Sequence, residues 1–311
     1  MTNDTSPSPI RIGVDLGGTK IEAVALDRAG AIRFRKRVPT PTGDYDRTVR
    51  AIAELAAQAS HETISLWGTM PPTIGVGIPG TISPATGLIK NANSVCLIGH
   101  ALDRDLAQAI GREVRLANDA DCFALSEASD GAGASCQIVL GAILGTGVGG
   151  GLVIDKRILR GPNAITGEWG HNPLPWPTDA ERPGRKCYCG QSGCIETFLS
   201  GAGLSADYAA HTKQQLTAEA IVEKSLQGEF QAVQALDRYV ERLARALATI
   251  VNVIDPSIIV LGGGLSNIAR LYSDVPALLP RYVFSDSVVT PLVPPMHGDS
   301  SGVRGAAWLW P

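Results

Sequence analysis

Three cysteines, Cys187, Cys189 and Cys194, fall within eight residues, and His171 stands upstream of them. Glycine and serine flank them, not apolar core residues. Three thiolates and one imidazole at such spacing match a tetrahedral Cys₃His zinc site. Sites of that kind are closed and structural, so the metal would shape a loop without doing chemistry. The other cysteines, Cys96, Cys122 and Cys136, are isolated among apolar neighbours and read as packing residues.

Glycine turns carry a second kind of chemistry. Asp15-Leu16-Gly17-Gly18-Thr19-Lys20 lies between two strand-like segments. Adjacent glycines can take positive φ and bring N–H groups close to an anion. Thr19 adds a hydroxyl, Lys20 a charge, and Asp15 could hold Mg²⁺ through water. A plain tight hairpin with an exposed lysine fits the same residues. Gly145–Gly151 formally matches G-x-G-x-x-G. That fingerprint needs a following helix, whereas Leu152–Asp155 reads as a strand, which disfavours a nicotinamide-dependent oxidoreductase. Gly262–Gly264 follows a strand and could pack flat on a base, or simply turn the chain. Asn118-Asp119 ends a strand where a helix begins, so Asp119 is either a general base or a helix cap.

These residues must be held by a sizeable fold. The chain has 311 residues, 35 of them Gly, with 27 basic and 30 acidic side chains and a net charge of −3. No basic excess exists to neutralise nucleic acid. No apolar run is long enough to span a bilayer. Residues 1–9 read as a disordered tail without a secretory signal, which points to the cytoplasm and reduced thiols. Strands are predicted at 10–16, 21–27, 31–38, 73–78, 113–117, 137–144, 152–154 and 257–261. Helices are predicted at 44–59, 102–110, 120–129, 196–208, 217–226, 230–254 and 302–310, with another after Gly264. Strand, glycine turn and strand occur at 12–24 and again at 138–153, as expected of a duplicated α/β architecture.

Asp15–Lys20, Gly77-Ile78-Pro79-Gly80, Asn118-Asp119, Gly145–Gly151, Glu168–His171, Cys187–Glu196 and Leu261–Gly264 occur in the order found in the ROK family of repressors, open reading frames and kinases, which the chain resembles from Ile10 to Trp310. The resemblance implies an actin-like ATPase (ribonuclease H-like) fold, with two duplicated α/β domains around a cleft and a zinc-binding loop. The domains would be 10–117, completed by a C-terminal helix at 302–311, and 118–301, with the zinc insert at about 160–196. It implies that Gly17, Gly18, Thr19 and Lys20 meet the β/γ-phosphates of Mg-ATP. Thr146 and Gly147 would form a second phosphate loop, and Gly263 and Gly264 would lie near adenosine. Asp119 would be the catalytic base. Gly80, Asn93, Asn118, Asp119, Glu168, His171 and Glu196 would line the sugar site, and His171, Cys187, Cys189 and Cys194 would bind zinc. The 15-residue spacer between His171 and Cys187 is longer than in shorter family members.

Segments 90–94, 168–175 and 297–310 resemble bacterial fructokinases of the mannofructokinase type. The expected activity is therefore phosphorylation of fructose at O6, with mannose as a side substrate. Glucose and N-acetylglucosamine are the alternatives within the family. A sugar-responsive repressor is disfavoured because the first phosphate motif begins at Asp15, leaving no room for a helix-turn-helix domain. The resemblance also implies a homodimer, while the charge balance and hydropathy predict no nucleic-acid or membrane partner.

Overall fold

The computed structural model describes residues 10–67 and 73–310; the expected tail at 1–9 lies outside them. The chain begins with strands β1 (Arg11–Leu16), β2 (Lys20–Leu26) and β3 (Ile32–Pro39), then helix α1 (Tyr45–Trp67) and strand β4 (Ile74–Ile78). Two short strands, β5 (Thr81–Ile82) and β6 (Ile89–Lys90), precede α2 (Leu102–Ile110), β7 (Val114–Asn118) and α3 (Asp119–Ser129). Next come β8 (Ile138–Leu144), β9 (Val148–Ile154) and β10 (Arg157–Ile158). Helices α4 (Glu196–Leu199), α5 (Gly201–Thr212), α6 (Ala218–Leu226) and α7 (Phe230–Ile254) lead to β11 (Ile258–Gly262). The chain ends with α8 (Leu271–Leu278), β12 (Leu292–Val293) and α9 (Ser301–Ala307).

Two compact units result. The first comprises the chain up to Ala134 together with Lys156–Thr166 and Met296 onward; the second comprises Ser135–Asp155 and Gly167–Pro295. In the first, the sheet order is β3-β2-β1-β4-β7. β1 pairs antiparallel with β2 and parallel with β4. Successive side chains of a strand face opposite ways. Ile12 and Val14 of β1 join Ile52 and Leu55 of α1 in one core cluster. Gly13, between them, faces Ala307 of α9. The second unit repeats the wiring as β9-β8-β11-β12, with β8 antiparallel to β9 and parallel to β11. Its core sets Leu236, Leu243 and Leu247 of α7 against Leu140, Leu144, Ile259 and Leu261. This repeated topology is the expected actin-like ATPase fold.

Three sequence expectations change. Gly149–Gly151 are not part of a loop: they lie in β9, opposite Ile143, Ala142 and Gly141 of β8. The helix predicted over 196–208 is two helices, because the Ser200 hydroxyl caps a fresh start by accepting from Gly203 N at 3.0 Å. The first unit extends to Ala134 where residue 117 was expected. It includes α3, whose Cys122 is buried with Ala117 and with Ala306 of α9.

Candidate active site

In the first unit, the turn joining β1 and β2 is pinned from outside. Gly17 N donates to Lys20 O at 3.0 Å, and the Thr40 hydroxyl donates to Gly17 O at 2.7 Å. Neither Gly17 nor Gly18 has positive φ, contrary to expectation. Their value is the missing side chain: a Cβ at Gly17 would stand 2.9 Å from Lys20 O, and the space at Gly18 is open for 4 Å. Thr19 is exposed beside it.

Asp15 ends β1. Burial pushes its carboxyl up to about 7, the charges of Asp119 and Glu22 add to that, and Lys20 opposes it. Glu22, its partner across the β1–β2 ladder, is committed to Arg35 and Arg37, so a hard cation here would be held by Asp15 through water. Asn118, not Asp119, is the N-cap of α3: its Oδ1 accepts from Ala120 N at 2.9 Å. Asp119 is therefore the first helical residue, exposed, with Oδ1 also accepting from Ala120 N at 2.8 Å. Asn118 Nδ2 donates to Gly80 O at 3.2 Å, joining two residues expected near sugar. Asn93 is exposed on the bend after β6.

In the second unit, a cavity of about 600 Å³ is lined by Gly145, Thr146, Gly201, Ala202, Ser205, Gln215–Glu219, Gly264 and Leu265. Its size suits a nucleoside. The cavity brings together Thr146 and Gly264 from the expected set; Gly147 and Gly263 are not among its lining residues. Gly147 instead makes way for Glu196, whose Oε2 accepts from Val148 N at 2.9 Å. The wall formed by α5 and the start of α6 was not anticipated; its sequence signal is only the small residues Gly201-Ala202-Gly203.

The metal-type cluster is assembled as its spacing predicts. Ligand atoms of His171, Cys187, Cys189 and Cys194 all lie within 4.8 Å of one another. His171 Nδ1 is 3.6 Å from Cys187 Sγ, and Cys189 Sγ is 3.6 Å from Cys194 Sγ. A tetrahedral zinc with Zn–S near 2.3 Å sets its sulfurs roughly 3.8 Å apart, so the four residues fit that ion. The far ring nitrogen, Nε2, lies 3.0 Å from the Tyr188 hydroxyl and 4.0 Å from Glu168 Oε2.

Two anchors position this loop. Trp169 is buried and donates from Nε1 to Gly149 O of β9 at 2.7 Å. In the spacer, the Glu181 carboxylate accepts from Arg242 Nε at 2.7 Å and Arg245 Nη2 at 2.9 Å, both on α7. Arg245 also donates to the carbonyls of Pro175 and Trp176. These guanidinium groups, against the cost of burial, hold the Glu181 carboxyl down at about 2.

The fold and these sites define an actin-like nucleotide-binding protein with a zinc-type loop. The chain belongs to the ROK family, whose profile matches residues 11–311, and stands among its sugar kinases. It is 41% identical over 303 residues to an N-acetyl-D-glucosamine kinase of Escherichia coli, covering 96% of this chain and 98% of that one. It is 40% identical to the kinase of the same name from Yersinia enterocolitica, covering 96% and 98%. Among solved structures it resembles a ROK hexokinase from Thermus thermophilus, with TM-score 0.84, 31% identity and coverage of 96% and 97%. It also resembles a ROK glucokinase from Streptomyces griseus in complex with glucose and AMPPNP, with TM-score 0.75, 28% identity and coverage of 96% and 98%.

The fructokinase expectation is overturned by these relatives. The segments that prompted it do structural work. Lys90 binds Asn163 O, Trp169 docks on β9, and His297 N and the Ser301 hydroxyl bond to the buried Glu127. Such contacts report the fold and not the hexose.

Proposed function

We propose that the protein transfers the γ-phosphoryl group of ATP to N-acetyl-D-glucosamine. The observation that carries this reading is identity of 40–41%, across 96% of the chain, with N-acetyl-D-glucosamine kinases. The cavity along α5 and α6 takes the nucleoside, with Thr146 and Gly264 on its wall. Gly17, Gly18, Thr19 and Lys20 receive the phosphates on an open backbone turn. Asp15 is the residue to hold Mg²⁺ through water, and the ion would neutralise charge on the phosphates.

Asp119 accepts the proton of the sugar's primary hydroxyl as the new bond to phosphorus forms. Its exposed place at the start of α3 leaves the carboxylate accessible to that hydroxyl. Gly80, Asn93, Asn118, Glu168, His171 and Glu196 are assigned to sugar contacts. Zinc, held by His171, Cys187, Cys189 and Cys194, would fix the loop that carries three of these contacts.

A coupled ADP-release assay across N-acetylglucosamine, glucose, mannose and fructose tests the reading. The highest kcat/KM is expected for N-acetylglucosamine. Absence of ADP release with that sugar would overturn the proposal. Asp119→Asn should lose roughly 10²–10⁴-fold in kcat with sugar binding retained; near-normal turnover would remove Asp119 from the role of base.

A further inference from the structure

The first unit holds a cavity of its own, of about 570 Å³, beside β7, the edge strand of its sheet. Its walls come chiefly from β7, from β10 and the residues after it, and from the chain just past α9. None of the residues lining it belongs to the nucleotide cavity, to the turn between β1 and β2, or to the residues assigned to sugar or zinc. A cavity of this volume accommodates an organic molecule of moderate size.

The charge on its walls is one-sided. Arg115, Lys156, Arg157 and Arg160 face one carboxylate residue, Asp103, so the lining carries a surplus of three positive charges. The whole chain carries −3, and folding gathers here a basic patch that the composition hides. Arg160 Nη2 donates to Leu116 O at 2.8 Å, and Arg115 Nη1 donates to Leu309 O at 2.8 Å. Both acceptors are neutral carbonyls, so the two guanidinium groups are held in place without their charge being cancelled. Lys156 and Arg157 have no hydrogen-bonding or ionic partner among the described residues. The rest of the wall is largely apolar. Leu116 and Leu125 are buried, and Ile158 and Trp308 are half-buried. Trp308 Nε1 is a buried donor with no acceptor among the described residues, the kind of group that a bound ligand satisfies.

We propose that this cavity binds a phosphate monoester with an apolar organic body, at a site separate from that of phosphoryl transfer. Guanidinium forks match phosphate oxygens in pairs, and an excess of positive charge favours a dianion over a monoanion. The apolar wall takes the organic body, which distinguishes such a ligand from free phosphate. The inference does not rest on the kinase reading.

Phenyl phosphate is the probe, because it joins a dianionic monoester to an apolar ring. Inorganic phosphate and benzoate are its controls, the first lacking the ring and the second the double charge. Calorimetric titration into the whole protein should show saturable binding of phenyl phosphate, about tenfold or more tighter than either control. Equally tight inorganic phosphate would mean an adventitious ion only. Equally tight benzoate, or no binding of phenyl phosphate, would also overturn the proposal. Arg157→Gln removes a charged donor that holds nothing else in the fold. It should weaken phenyl phosphate about tenfold or more, with the melting temperature unchanged. Unchanged affinity in that variant would overturn the assignment. Lys20→Gln, on the turn between β1 and β2, should bind the probe as the wild type does; a loss there would move the probe to the phosphoryl-transfer site and refute a separate one.

Discussion

Gly167 shows how much of the site depends on a single missing side chain. Its φ is +89°, and a Cβ there would run into the backbone of Gly150 on β9. That close approach seats Trp169 against Gly149 and so places Glu168 and His171. Gly167→Ala meets both strain and collision, and it should cost about 1–3 kcal/mol in stability. Displacing the loop should also raise the hexose KM about tenfold or more. Thermal melting and steady-state kinetics check this, and a variant with wild-type values in both would show that the loop is not so constrained. Gly150 of β9 therefore serves packing against the loop that carries Trp169, whose Nε1 a Cβ there would meet at 3.0 Å, a role its place in G-x-G-x-x-G hides.

Among the elements, the spacer between His171 and Cys187 is held by α7. Glu181 is buried, with its carboxyl held down at about 2 by Arg245 and Arg242. A carboxyl whose folded pKa lies below its unfolded value binds fewer protons when folded. Its contribution is full above about 4.5, the ordinary glutamate value, and is lost as pH falls toward about 2. Denaturant melts between pH 5 and pH 3 should show a steeper loss for the wild type than for Glu181→Gln. At pH 7 that variant should lose about 3 kcal/mol, the low end for a broken buried pair, because Arg242 keeps Asp207 and Arg245 keeps Glu241. Parallel pH slopes would mean that the pair does not set acid stability.

Much at this scale was legible beforehand. Helix α7 was expected at 230–254 and α2 at 102–110, and both have those bounds because their apolar stripes recur at helical period. The zinc-type residues were legible because cysteine flanked by glycine has few other uses. The break at Ser200 was hidden, since a serine inside an apolar stripe looks like any exposed helical position. The cavity wall at 201–219 was hidden too, because small and polar residues lining a pocket have no required spacing. The substrate was misread because the segments compared make contacts inside the fold, such as Lys90 to Asn163 O and Ser301 to Glu127, which carry no information on the sugar.

At the level of the whole molecule, the sheet of the first unit is completed by the end of the chain. Gly75 of β4 and Gly305 of α9 each take part in backbone-to-backbone approaches that no side chain would allow, with Ala306 and Cys122 respectively. Glu127 is buried and accepts from Ala132 N at 2.9 Å, Met296 N at 3.0 Å and the Ser301 hydroxyl at 2.8 Å. Asp130 pairs with Arg304 and with His297. Truncation after Pro295 removes all of these partners except Ala132. Limited proteolysis with mass spectrometry should then leave a resistant fragment from the second unit, with its own core, while Arg11–Ser129 is digested. Equal resistance of the two units would refute this dependence.

The place of α9 also sets a timetable for synthesis. β1 begins at Arg11 and its covering helix at Ser301, 290 positions later. At about 5–20 residues per second, translation takes roughly 15–60 s to cover that distance. Every residue of the second unit is made within the interval. The first unit to be started is therefore the last that can close, and one face of its sheet waits at the ribosome as an unsatisfied apolar surface, the kind that holding chaperones recognise.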